Sequence, residues 1–135
     1  MLTRLLALRC ERLLAVDIVE QPLRSARTTC ANQPGVRLER MEIPGEWPHD
    51  IFDLIVLSEV FYFLSPADID TAADRVLATL EPSGVVLLVN WRGHSHDPCT
   101  GDEAAAIFMN RTRRWLSSQT HYQERRYRLD VLYRG

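Results

Sequence analysis

Lysine is absent from the 135 residues; all sixteen basic residues are arginine. A Schiff-base lysine, a phosphate-binding P-loop lysine and a lysine general base are therefore excluded. Paired cysteines are also lacking. Cys10, Cys30 and Cys99 are far apart with no CxxC spacing, which argues against a disulfide framework and fits free thiols in a reducing compartment. No long hydrophobic run occurs. The apolar opening MLTRLLALRC is interrupted by Arg4 and Arg9, leaving neither a signal-peptide core nor a membrane span, so a soluble, cytoplasmic protein without a membrane partner is expected. A basic surplus is missing too: the net charge is −2, unlike a chain whose main partner is nucleic acid. The arginine-rich tail (Arg111, Arg113, Arg114, Arg125, Arg126, Arg128) accordingly reads as a solvated face, not a nucleic-acid surface.

With 46% hydrophobic residues, the chain is long enough for one compact domain, residues 1–135. Its organising stretch is FDLIVLSEVFYFL, Phe52 to Leu64. The apolar run Leu54 to Leu57 reads as a strand buried on both faces, as in a parallel sheet covered by helices. Glu59 follows at its C-terminal end, the edge at which open α/β sheets bind ligands.

An amphipathic helix is expected over Leu2 to Arg12 and a buried strand over Leu13 to Val19, carrying Asp17 near its end. Pro22 suits the first turn of a helix from about Gln21 to Asn32, which Pro34 and Gly35 stop. Val36 to Met41 alternates apolar and charged residues and reads as a strand near the sheet edge. EIPGEWPHD must be loop. Ser65 and Pro66 form a cap and first turn for a helix with an apolar stripe from Ile69 to Leu80, ended by Glu81, Pro82, Ser83 and Gly84. Val85 to Trp91 is a second fully apolar strand, Asp102 to about Arg111 a helix, and Tyr127 to Tyr133 a last strand. This alternation is α/β, with a mostly parallel sheet and an antiparallel end.

An aspartate ending a buried strand just before a helix is placed to accept hydrogen bonds from ribose hydroxyls, although a turn- or helix-capping role accounts for Asp17 equally well. Glu59 is a candidate proton acceptor or a cap. His94 and His96 lie in a polar loop and are candidate bases or solvent-exposed residues. Together with Cys99 they lack a fourth ligand, so no metal site is expected.

Taken in order, AVDI around Asp17, PLRSAR, Trp47 and Pro48, FDLIVLSEVFYFL, LEPSGVVLLVNW and the segment Gly101, Asp102, Glu103 resemble the class I S-adenosylmethionine-dependent methyltransferases of the nodulation protein S type. The resemblance implies a Rossmann-like sheet and S-adenosyl-L-methionine as cofactor. It places Asp17 on the ribose, Ile18 on the adenine face, Met41 and Glu42 at the adenine amino edge, and Ser58, Glu59 and Val60 where the methionine moiety meets the acceptor. Tyr62 and Trp91 then wall the acceptor pocket; a core position is the alternative for Trp91. The chemistry implied is methylation of a small molecule, with an amine or amino sugar among the acceptors. A remnant that binds a partner instead of cofactor, and a nicotinamide-dependent oxidoreductase, are the alternatives, the latter weakened because no Tyr-Lys pair can exist without lysine. The family's glycine-rich DxGCGxG turn has no counterpart here. The expectation is a chain that opens one strand late, lacks the central strand between those of Asp17 and Glu59, and has reason to take a strand from another copy as a strand-completing dimer.

Overall fold

The computed structural model describes residues 2–91 and 100–135. They form two compact units, Met1–Trp47 and Pro48–Gly135. The first contains helix α1 (Leu2–Ala7), strand β1 (Leu13–Asp17), helix α2 (Glu20–Thr29) and strand β2 (Val36–Arg40). β1 and β2 pair in parallel, with Asp17 opposite Arg40. Leu23 and Cys30 are the buried side chains of α2 and its C-terminal cap. Gly35 fits because a Cβ there would lie 2.2 Å from the Glu11 carbonyl oxygen.

The second unit contains β3 (Phe52–Ser58), a 3₁₀ turn (Phe61–Phe63), α3 (Pro66–Thr79), β4 (Leu80–Trp91), α4 (Gly101–Thr112), β5 (Leu116–Gln123) and β6 (Tyr127–Arg134). Its sheet has the order β3-β4-β6-β5. β3 and β4 are parallel, whereas β6 runs antiparallel to both β4 and β5. The α/β class, the parallel pairs and the antiparallel end follow the sequence expectation.

Local chemistry sets the helix starts. The Ser65 hydroxyl accepts from the Asp68 N–H at 3.1 Å and Pro66 occupies the first turn of α3, which satisfies one of the donors a helix start leaves open. α4 begins with a reciprocal pair: Thr100 Oγ1 accepts from the Glu103 N–H at 3.1 Å, and Glu103 Oε1 accepts from the Thr100 N–H at 3.3 Å. Ile69, Ala72, Ala73 and Val76 of α3 and Ala104, Ala105 and Phe108 of α4 are fully buried. These small residues let both helices lie close on Val86, Leu88 and Leu132, and Phe61 closes the layer with its ring 5.1 Å from that of Phe108. Arg134 clamps the end of β6 to α3, donating to the carbonyls of Leu77 and Leu80 at 2.7 and 2.9 Å.

Several expectations need correction. α1 stops at Ala7, not Arg12, because Arg9 turns back to bond the Leu6 carbonyl and the chain enters β1. The stop signal Glu81 to Gly84 is not a loop: β4 already begins at Leu80, opposite Phe52, and the excess residues are absorbed by a register shift before Val85 meets Leu54, with Ser83 at φ 68°. β5 went unread, since LSSQTHYQ has neither an apolar run nor alternation. Nor are the two apolar strands buried on both faces. Residues 57, 86, 88, 130 and 132 face α3 and α4 and are buried, whereas Leu54, Val56, Leu87, Val89, Leu129 and Val131 point away from these two helices and remain half-buried or exposed. All five residues of β1 are likewise half-buried, as expected for a strand with one neighbour.

A Cβ on Gly101 would sit 1.9 Å from the Trp91 carbonyl oxygen, so α4 is seated directly on the end of β4. Gly101→Ala is expected to cost about 1–3 kcal/mol, measured as a lower thermal midpoint and earlier urea unfolding. An unchanged midpoint would show that the start of α4 moves away freely.

Candidate functional site

In the N-terminal unit, parallel pairing places the ends of β1 and β2 side by side. The Met41 N–H donates to the Asp17 carbonyl at 3.0 Å, and Arg40 Nε donates to the Ile18 carbonyl at 2.8 Å. Asp17, Ile18, Met41 and Glu42 are thus brought together at one strand edge. Asp17 Oδ1 accepts from the Val19 N–H at 3.0 Å, so the carboxylate does shape the turn into α2. One oxygen serves that turn, and a carboxylate has further lone pairs to offer. Ile18 is 44% exposed beside it, an apolar surface next to a hydrogen-bond acceptor. The Glu42 backbone is held locally, its N–H donating to Glu46 Oε1 at 2.9 Å and its carbonyl accepting from the Glu46 N–H at 2.8 Å.

In the C-terminal unit, Ser58 ends β3 opposite Val89. Glu59 follows in the left-handed region at φ 59°, its N–H donating to the Val89 carbonyl at 2.8 Å. A non-glycine residue held there carries strain of order 1–3 kcal/mol, and the effect is to turn the chain sharply off the sheet with the Glu59 side chain exposed. Val60 leads into the 3₁₀ turn that contains Tyr62. Trp91, 37% exposed, is not a core residue. Its neighbour Asn90 is 1% exposed, and neither Oδ1 nor Nδ2 has a partner among the described residues. His94, His96 and Cys99 lie outside the described residues. Cys10 and Cys30 are free thiols, and among the described residues no His, Cys, Asp and Glu group could hold a metal ion.

Sequence reasoning missed a charged cluster on the helix-covered face. Asp130, 1% exposed, accepts from His121 Nδ1 at 2.6 Å and from Arg128 Nε and Nη2 at 2.9 and 3.1 Å. Arg128 Nη1 reaches Asp102 at the start of α4 at 3.1 Å. Only the register, His121 opposite Asp130 across a bulged β5–β6 pair, unites these residues. Two strands separate β5 from β3 in the sheet, and at about 4.8 Å per step His121 stands roughly 14 Å across the sheet from the Ser58 position. The cluster therefore does not share a proton with Glu59. It fastens the β5–β6 hairpin to α4.

The first 84 residues of the chain match the "Methyltransferase domain" family model. Nodulation protein S of Sinorhizobium fredii (strain NBRC 101917 / NGR234) is 28% identical over 116 residues, covering 82% of this chain and 53% of that protein; the chain thus spans about half the length of the curated relative it matches. A crystal structure assigned as a methyltransferase from Pseudomonas syringae superposes with a TM-score of 0.85 at 32% identity, over 98% of this chain and 80% of that one. N-methyltransferase NodS from Bradyrhizobium japonicum WM9, in complex with S-adenosyl-L-homocysteine, shares the fold with a TM-score of 0.84 at 20% identity, over 98% and 71% of the two chains.

The pKa of His121 is raised by its hydrogen bond to Asp130 and, second, by Gln123, whose Oε1 lies 2.9 Å from Nε2. Both ring nitrogens face acceptors, which favours the imidazolium. A raised folded-state pKa means that the contribution to stability is complete below the unfolded value, about 6.5, and fades as pH rises through the folded value. The expected outcome is a His121 titration midpoint above 6.5 by NMR and a thermal midpoint that declines through that pH range, a decline that His121→Asn removes. A midpoint at or below 6.5 would contradict the clamp.

Proposed function

Because the chain belongs to the methyltransferase-domain family, we propose that it serves methyl transfer from S-adenosyl-L-methionine to a small molecule, with an amine or amino-sugar nitrogen as the acceptor. The observation that carries this is the strand-end cluster of the N-terminal unit: a carboxylate, Asp17, with an exposed apolar side chain, Ile18, beside it and Met41 bonded alongside. That combination suits a ribose and its purine, because the hydroxyls need acceptors and the flat ring needs an apolar surface. Asp17 would hold the ribose hydroxyls, Ile18 the adenine face, and Met41 and Glu42 the adenine amino edge. Ser58, Glu59 and Val60 would take the methionine end.

When bound, the cofactor supplies a methyl group on a positively charged sulfur. The acceptor nitrogen must approach in line with the breaking C–S bond, so the work of the protein is mainly to orient the partners and exclude water. An amine attacks only when neutral, and the proton it sheds needs a base. Glu59, turned off the sheet and exposed, is suited to accept it, with His94 and His96, which follow β4 in the sequence, as further candidates. Tyr62 and Trp91 would wall the acceptor pocket. A cytoplasmic setting goes with this chemistry; no helix among the described residues is long and apolar enough to cross a membrane. Since Glu59 N–H points to β4, strand alternation turns the N–H and C=O groups of Leu54, Val56 and Ser58 to the other edge. A strand from a second copy laid there is the strand-completing partner we expect.

Calorimetric titration with S-adenosylhomocysteine tests the assignment. Charged hydrogen bonds are worth about 1.5–3 kcal/mol, so Asp17→Ala is expected to weaken binding by roughly ten- to a hundredfold, while Asp53→Ala, at the far end of β3, leaves affinity unchanged. Equal affinity in Asp17→Ala would return Asp17 to its turn. Absence of any binding by the wild-type chain would favour a domain that binds a partner instead of cofactor.

A further inference from the structure

The arginine-rich tail reads from the sequence as a solvated face, yet three of its arginines gather around one hollow of the C-terminal unit. Arg111, Arg113 and Arg114 line it together with Asn110, Trp115 and Asp74 of α3, and its volume of about 350 Å³ lies in the range of about 300–1,000 Å³ in which small molecules bind. Its frame is anchored on both sides. Thr112 at the end of α4 and Leu116 at the start of β5 are 0% and 4% exposed, and the Trp115 N–H closes the connection between them by donating to the Thr112 carbonyl at 2.9 Å. Arg113, Arg114 and Trp115 lie between these anchors and are all exposed. On the α3 side, Arg111 Nε and Nη2 bond both oxygens of Asp74 at 3.0 Å each, a bidentate pair that fixes the wall.

The charges in the hollow do not cancel. Asp74 is engaged by Arg111, and Asp70 acts on that same guanidinium, whereas Arg113 and Arg114 have no acidic partner among the described residues. Helix capping does not account for them, because the Phe108 and Thr112 carbonyls are already taken by Thr112 Oγ1 at 2.9 Å and by the Trp115 N–H. Arg114 instead lies over the Trp115 ring, 5.8 Å from its centroid, a stack that orients the guanidinium. The indole is still 46% exposed, so the hollow offers ring surface beside two free positive charges.

We propose that this hollow is a ligand site of its own, which takes a small phosphate monoester carrying a flat ring. The planar forks of Arg113 and Arg114 match phosphate oxygens, and a monoester's charge of about −1.5 to −2 at pH 7 balances two guanidiniums where a single carboxylate would not. The ring packs on the indole of Trp115, and the Asn110 amide, which both donates and accepts, faces its polar substituents. The site is separate from Glu59. Leu116 pairs with Arg134, whereas Glu59 bonds Val89, the partner of Leu129, and Leu129 to Arg134 spans about 17 Å at ~3.4 Å per residue. The proposal does not depend on methyl transfer.

Calorimetric titration of the full chain with phenyl phosphate is the test, because this probe has the monoester and the ring but no ribose or purine to occupy the strand end at Asp17. Saturable binding is expected at low salt, with Arg113→Gln and Arg114→Gln each weakening it by about tenfold or more. Trp115→Leu should abolish the preference for phenyl phosphate over inorganic phosphate, and the Trp115 indole N–H resonance of the wild-type chain should shift during the titration. These three side chains are exposed, so the variants keep the wild-type circular dichroism and thermal midpoint. A Kd weaker than about 1 mM, undiminished affinity in the arginine variants, a preference that survives Trp115→Leu, or binding lost in Glu59→Gln overturns the proposal. So does binding of a single-stranded oligonucleotide by a chain that leaves phenyl phosphate free, which would make the arginines a nucleic-acid surface.

Discussion

The parallel ladder between β3 and β4 is the constraint on which the C-terminal unit depends. Its register, Leu57 opposite Leu88 and Ser58 opposite Val89, decides which residues meet α3 and α4 and which are left facing outward. A slip of one residue would exchange the two faces, moving Asn90 and Asp130 out of the interior and Trp91 and Tyr133 into it. The β4–β6 pairing extends the same alternation, so the buried layer beneath α3 and α4 and the charged cluster beside α4 have a common cause.

Much of this was legible in the sequence because it depends on short-range chemistry. Ser65-Pro66 with Asp68 marks the start of α3, and the 3.6-residue spacing of Ile69, Ala72, Ala73 and Val76 marks its buried stripe. What was not legible depends on pairing partners. Val56 and Leu57 are equally apolar, and only the location of the helices makes Leu57 buried and Val56 not. LSSQTHYQ carries no strand signal, yet it pairs with β6, and with it comes the contact of His121 with Asp130. Pro82 and Gly84 read as a stop, whereas they lie within β4 and the ladder with β3 skips them, from Leu80 to Val85, by a register shift.

The same division applies to the candidate site. Asp17 and Glu59 could be singled out because each ends an apolar run, the one property of a strand end visible in a linear sequence. Their engagement could not be read that way. Asp17 serves both a turn and, in the proposed function, a ligand, and the left-handed backbone at Glu59 has no marker, since glycine is the residue that usually announces it. The burial of the Asn90 amide, without a partner among the described residues, is also a tertiary fact: buried polar groups normally find partners, and nothing in NW sets this one apart.

The contact between Gly101 and the Trp91 carbonyl also bears on how the connection between them can vary. Trp91 at the end of β4 and Gly101 at the start of α4 lie against each other, so any connection between these two strand and helix ends begins and finishes at nearly the same point. Its ends are fixed by β4 and by the Thr100–Glu103 cap, so the entropy of closing the connection depends only weakly on its length, by about 0.6 kcal/mol for each doubling. The end of β4 and the start of α4 thus hold their places through Trp91, Gly101, Thr100 and Glu103 themselves.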